Sequence, residues 1–262
     1  MMGFLWLPLE AYEGLNNSEV SVTFHQYLFL SLVIGLIAFL IDGFFLSGFL
    51  RRKIVIQHTD SDSIVHVEFG DLFSKEGWKS ISANDFFDSI VDDRIISSNS
   101  LHGHVISTFW KNSTLDWAKQ IKTSLKDLAF EMTSRPRGNK KRYPIGTTAI
   151  ARTADENFLF FALGKTDLSN NVTSATAEDV ICAVRGLLKK AREVCSNQPI
   201  NIPLIGSGLS RTNIKSSVLL DLILTAVFEE TRESNVTERI NIILPKQKSK
   251  EINLGRTLNN WK

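Results

Sequence analysis

The chain has 262 residues, 43% of them hydrophobic and 22% charged, with 30 Lys and Arg against 28 Asp and Glu. That composition excludes a collagen-like repeat, a disordered polymer and a disulfide scaffold. The near-neutral sum hides two unlike parts: residues 1–50 carry Glu10, Glu13, Glu19 and Asp42 with no Lys or Arg, a charge of −4, which leaves +6 for residues 51–262.

Residues 1–26 form a short leading segment whose opening apolar run is too brief to cross a bilayer as a helix. Trp6 and Tyr12 suit an interfacial position there. From Tyr27 to Leu50 the chain is apolar with one charge, Asp42. At ~1.5 Å rise per residue this stretch exceeds the ~30 Å hydrocarbon core, so a transmembrane helix is expected over 27–50. A secretory signal peptide fits less well, because no positive charge precedes the run and no small-residue cleavage site follows it. Arg51, Arg52 and Lys53 come next, which by the positive-inside rule places the N-terminus outside and residues 51–262 in the cytoplasm. Within the span, Ser31, Gly35, Ala38 and Asp42 share one helix face. That face suits close packing against a second copy of itself, or it reflects only how common small residues are in membrane helices.

Beyond the span, β-rich runs and amphipathic runs alternate, the pattern of a layered α/β domain. Strands are expected at Lys53–Gln57, Ile64–Phe69, Thr147–Arg152, Phe158–Leu163, Ile200–Leu204 and Ile240–Leu244, several apolar enough for burial on both faces. Leu115, Ala118, Ile121, Leu125, Leu128 and Met132 predict one helix. Thr176 followed by Asp179 opens a second as a capping box, with Val180, Val184, Leu187, Ala191 and Val194 on its core face. A third, with a wide apolar face, is expected over Asn213–Glu233. The basic loop Arg135–Arg142, with five positive charges in eight residues, reads as a solvated turn or as a contact for anionic lipid head groups or nucleic acid. Cys182 and Cys195 have neither metal-ligand nor disulfide-framework spacing, which points to a reducing compartment.

Three segments could carry chemistry. Gly206, Ser207, Gly208, Leu209 and Ser210 lie between an apolar strand and a helix, where glycines let backbone N–H groups turn toward phosphate oxygens. A tight turn alone would also explain them, and the loop is neither a Walker A loop nor a Rossmann fingerprint. Asp71, within Gly70-Asp71-Leu72, puts a carboxylate at the end of a strand, either to accept from a base amino group or to cap a turn. Ser100, Leu101, His102 and Gly103 form the third. His102 and His104 are two positions apart with no Cys or acidic cluster to complete a site, so no metal and no cofactor are expected.

Together these segments resemble the ligand loops of a macro domain, and more closely those of the membrane-anchored macro-domain effectors of Thoeris antiphage defence. The phrases carrying the resemblance are Val67 to Phe73, Asn84 to Asp88, Ile95-Ile96-Ser97 leading into Ser100-Leu101-His102-Gly103, Tyr143 to Thr147, and Ile202 to Arg211. The resemblance implies a three-layer α/β/α macro-like fold with a mixed sheet, preceded by the transmembrane helix. It implies that Asp71 and Leu72 meet adenine, that Asn84 and Asp85 lie near the ribose, and that Ser100–Gly103 and Gly206–Arg211 frame the diphosphate. The ligand would be an ADP-ribose derivative, a histidine adduct in this family, made by a partner TIR-domain protein. The membrane part would be a toxic effector in the inner membrane, acting as a homo-oligomer on the lipid bilayer. The glycine-rich first loop of hydrolytic macro domains is replaced by Ser100-Leu101-His102-Gly103, and their paired asparagines are reduced to Asn84. Binding without turnover, and no nucleic-acid partner, is the resulting expectation. An ADP-ribosyl hydrolase or phosphatase and a membrane-tethered nucleic-acid or protein-interaction module are the competing readings.

Overall fold

The computed structural model describes residues 10, 12, 23–57, 62–111, 113–206, 208 and 212–261. It divides into two compact units, Met1–Arg51 with Leu254–Arg256 and Arg52–Asn253 with Thr257–Lys262. In the smaller unit, α1 (Phe24–Ile41) runs into a π-helical turn over Asp42–Leu46. Phe24–Leu46 is the one helix among the described residues long and apolar enough to cross a membrane, with a mean hydropathy of 2.5. It begins three residues before the expected Tyr27 because the Thr23 N–H finds the Gln26 side chain at 3.0 Å and caps the first turn. It ends before Leu50 because Gly48 adopts a φ of 66°, the left-handed conformation that closes helices. Ser31 Oγ donates to the Leu28 carbonyl at 2.8 Å, and Ser47 Oγ to the Asp42 carboxylate at 3.1 Å, so both serines are satisfied within the helix. Trp6 lies outside the described residues, and Tyr12 is exposed.

The larger unit is built on β1 (Lys53–Gln57), β2 (Ile64–Phe69), β3 (Trp78–Asn84), β4 (Glu131–Met132), β5 (Lys141–Arg142), β6 (Thr148–Arg152), β7 (Asn157–Thr166), β8 (Thr173–Ser174), β9 (Ile200–Pro203) and β10 (Arg239–Leu244). Its helices are α2 (Leu101–Phe109), α3 (Thr114–Ser124), α4 (Ala177–Val194) and α5 (Ser216–Glu233), and α6 (Leu254–Asn260) is divided, its first three residues counted with the smaller unit. The main sheet runs β1-β2-β10-β9-β3-β7-β6, with β8 added to the end of β7. The middle five strands are mutually parallel, while β1 and β6 pair antiparallel at the edges. Alternation along β7 divides the core: Phe158, Phe160 and Ala162 join Val105, Ile106, Trp117 and Ile121 of α2 and α3. Leu159, Phe161 and Leu163 are equally buried and face the other way, the side on which α4 lies against β7. This is the expected α/β/α sandwich on a mixed sheet.

Thr176 caps α4 with Asp179 as its capping-box partner, as the spacing predicts. Two helical expectations need correction. The helix expected from Leu115 to Met132 stops at Ser124, and Met132 belongs to the β4–β5 ribbon. Its buried face is Trp117 and Ile121, whereas Leu115 and Met132 are 83% and 63% exposed. The helix expected from Asn213 begins at Ser216, since Asn213 takes a φ of 53° outside the right-handed helical region.

The basic loop is a largely exposed turn tied to the fold through several of its cations. Arg135 pairs with Asp88, Arg137 with Asp92 and Arg142 with Asp85. Lys141 sits over the Phe130 ring at 3.9 Å. Arg135 is buried and Arg142 half-buried, whereas the Arg137 side chain is 52% exposed and Lys140 and Lys141 are exposed, so the loop keeps cationic charge at the surface.

Candidate functional site

In a sheet with parallel strands, the loops leaving the C-terminal ends of the strands gather on one edge, and ligands bind there. Here that edge is a cleft of about 1420 Å³. Its walls are Gly70–Phe73 after β2, Ser82–Asn84 at the end of β3, residues 93–102 leading into α2, and Leu163, Gly164 and residues 169–173 around β7 and β8. Residues 203–206 and Gly208 after β9 and residues 245–248 after β10 complete it.

Asp71 takes the turn-capping role its position allows. One carboxylate oxygen accepts from the Phe73 N–H at 3.1 Å and caps a short 3-10 turn over Leu72–Ser74, while the exposed residue also lines the cleft. Leu72 is buried in the core cluster and holds that turn down. Asn84 lines the cleft, but its amide is largely engaged: the carbonyl accepts from the Asp88 N–H at 3.2 Å and the nitrogen donates to the Asp88 carboxylate at 2.9 Å. One N–H of that amide remains for a ligand.

Asp85 is placed apart from the cleft. It accepts from Thr166 N and Oγ1 at 3.1 and 2.6 Å and from Arg142 Nε at 2.7 Å, on the wall of a separate cavity of about 540 Å³. Its position is that of a structural staple between β3, β5 and β7.

Ser100 caps α2, its hydroxyl accepting from the Gly103 N–H at 2.9 Å and donating to the Ser97 carbonyl at 2.6 Å. Leu101 and His102, the first two residues of α2, both line the cleft, and the first N–H groups of a helix have no partner within it. Gly103 is glycine for packing, since a Cβ there would stand 2.2 Å from the Ser97 carbonyl oxygen. His102 lines the cleft but lies 5% exposed between Trp117 and Phe160, and its Nε2 has no hydrogen-bond partner. Burial pushes its pKa down to about 3, so the ring is neutral at physiological pH.

Gly206 takes a φ of 79°, which turns the chain after β9. At Gly208, which lines the cleft, a Cβ would meet nothing within 4 Å among the described residues. Ser207, Leu209, Ser210 and Arg211 lie outside the described residues.

Sequence reading missed three contributors. The Ser169–Thr173 wall is one; its only signal was the turn-forming Asn170-Asn171 pair. Arg94 and Lys246 are the others, exposed cations on the cleft that make no ion pair among the described residues. The anions nearby are tied down: Ser98 donors hold the Asp93 carboxyl below the usual range, and the Ser169 hydroxyl and N–H do the same for Asp167. Among the described residues no group of His, Cys, Asp and Glu could hold a metal ion.

Solved structures show that this mixed sheet and its helices have the fold of a macrodomain. The Oceanobacillus iheyensis macrodomain solved with ADP matches at a TM-score of 0.54 and 11% identity, over 80% of this chain and 97% of that one. A mutant of it solved with ADPR matches at 0.55 and 12%, over 80% and 100%. The model of the macro domain of Thoeris protein ThsA matches residues 65–245, and the chain belongs to that family. The Thoeris protein ThsA of Bacillus amyloliquefaciens (strain Y2) is 26% identical over 237 residues, covering 87% of this chain and 77% of that protein.

Proposed function

We propose that this protein is a receptor of Thoeris antiphage defence whose cleft binds an ADP-ribose-derived nucleotide made by a TIR-domain partner, with a histidine adduct as the natural form. The observation that carries this reading is the cleft itself, which runs across the ends of five parallel strands with Asp71 at one side and the Gly206–Gly208 turn midway. Backbone donors at the start of α2 and in that turn, with Arg94 and Lys246 on the rim, suit a diphosphate. The fold's likeness to a macrodomain solved with ADPR supports the same ligand class.

Binding without turnover is part of the proposal. A neutral, buried His102 is a weak general base, and Ser100-Leu101-His102-Gly103 stands where hydrolytic macro domains carry a glycine-rich first loop. Phe24–Leu46 then anchors the chain in the inner membrane with the macro unit cytoplasmic, so residues 1–26 are a short extracytoplasmic or interfacial segment, 27–50 the span and 51–262 the receptor. Occupancy drives assembly of several copies through the Ser31-Gly35-Ala38-Asp42 face and disrupts the bilayer. A single helix has no lumen, so any leak must form between chains, and small residues allow the close approach.

Equilibrium dialysis of the full-length chain against ADP-ribose and its histidine adduct, followed by chemical analysis of the recovered nucleotide, tests the reading. Saturable binding with intact ligand is expected. Conversion of a molar excess of ligand would place the protein among the hydrolases or phosphatases, and no binding would remove the receptor function.

A further inference from the structure

Asn171 sits in the loop between β7 and β8, at a φ of 58°, and lines the cleft. Its side-chain carbonyl accepts from Arg135 Nη2 at 2.8 Å. An arginine only donates, so this contact settles which end of the amide is which, and the Asn171 nitrogen must point away from Arg135. That nitrogen has no partner among the described residues.

Arg135 is itself fixed. Its Nη1 donates to the Asp88 carboxylate at 2.9 Å, its guanidinium lies 4.3 Å from the centre of the Phe86 ring, and its side chain is 1% exposed. Asp88 is further held by the Asn139 N–H at 2.7 Å and by Asn84. A buried ion pair thus orients one amide on the wall of the cleft and leaves its donors uncommitted, which is more than loop anchoring requires.

The strand order says what those donors meet. Asp71 follows β2 and the Gly206–Gly208 turn follows β9, two strand spacings or about 10 Å away. Asn171 follows β7, two spacings further on, so the cleft is about 19 Å from end to end. A nucleotide with its base at Asp71 and its diphosphate at the turn reaches Asn171 only with what lies beyond the diphosphate.

Resting on the receptor reading above, we infer that Asn171, positioned by Arg135, donates its free amide N–H groups to the distal sugar or its substituent and so separates ADP-ribose-type ligands from ADP.

The test is calorimetric titration of the full-length chain in detergent with ADP and with ADP-ribose, on the parent, Asn171→Asp and Asn171→Gly, alongside hydrogen exchange of residues 167–173. Asn171→Asp keeps an acceptor for Arg135 but loses the donors, so the preference for ADP-ribose over ADP should fall about tenfold with exchange unchanged. Asn171→Gly tolerates the φ, loses both roles, and should show the same fall with faster exchange. A preference unchanged in both variants, or no preference in the parent, overturns the inference. A parent that binds neither nucleotide overturns the cleft reading beneath it.

Discussion

Asp88 and Arg135 form an ion pair at 2.9 Å with both side chains 1% exposed, and the pair joins the end of β3 to the loop between β4 and β5, from which Arg135 also reaches Asn171 after β7. Removing one partner of a buried pair leaves the other charge without compensation, typically at a cost of about 3–5 kcal/mol. Asp88→Ala should destabilise the protein by that order in urea unfolding. A loss below about 1 kcal/mol would mean that the pair is far more hydrated than its burial implies.

Gly186 of α4 meets Gly146 so closely that a Cβ would stand 2.2 Å from the Gly146 carbonyl oxygen. Helix propensity alone favours Gly186→Ala by about 1 kcal/mol. The overlap is with backbone, which cannot swing aside, so the substitution is expected to lower stability by about 2 kcal/mol or more. An alanine variant with a higher melting temperature would contradict the close packing of α4 on the turn before β6.

The buried His102 makes stability depend on pH. Its folded pKa of about 3 lies below the free value of 6.5, so between those values the unfolded chain binds a proton that the folded chain refuses. Stability should therefore fall as the pH drops from 6.5 toward 3, by about 2 kcal/mol at pH 5, and be flat in this respect above 7. Urea midpoints at pH 7 and pH 5 for the parent and for His102→Gln give the comparison. Equal pH slopes in the two proteins would show that His102 is not the group responsible.

For the membrane segment, Gly35→Leu should block ligand-driven leakage of dye from liposomes carrying the full chain, while insertion and nucleotide binding persist. Leakage without ligand, or undiminished leakage in the variant, would reduce Phe24–Leu46 to a tether.

Much of this was legible in the residues. The apolar strands β1, β2, β9 and β10 and the capped α4 announce themselves, because their apolar pattern and capping residues are local. The central strand β3 does not, since Lys79, Ser80 and Asn84 interrupt its periodicity. They are buried nonetheless, Lys79 against Glu156 and Ser80 on the Asn201 carbonyl, and those partners lie far away in sequence. The site divides in the same way. Asp71 and Gly208 stand in recognisable loops, whereas the Arg135–Asn171 contact spans 36 positions and only the fold brings it together. The charge of the basic loop was visible, but its pairing with Asp85, Asp88 and Asp92 was not.

Gly208→Val gives the most direct test of the central claim, that the cleft at the strand ends receives the nucleotide. The substitution adds a side chain where no described residue lies within 4 Å, in the space the account gives to the ligand's diphosphate. Titration of the full-length chain with ADP-ribose, beside an unfolding curve for each protein, is the measurement. Parent binding with loss of at least about tenfold in a variant of unchanged stability is the predicted result. A folded Gly208→Val protein that binds as tightly as the parent would contradict the account.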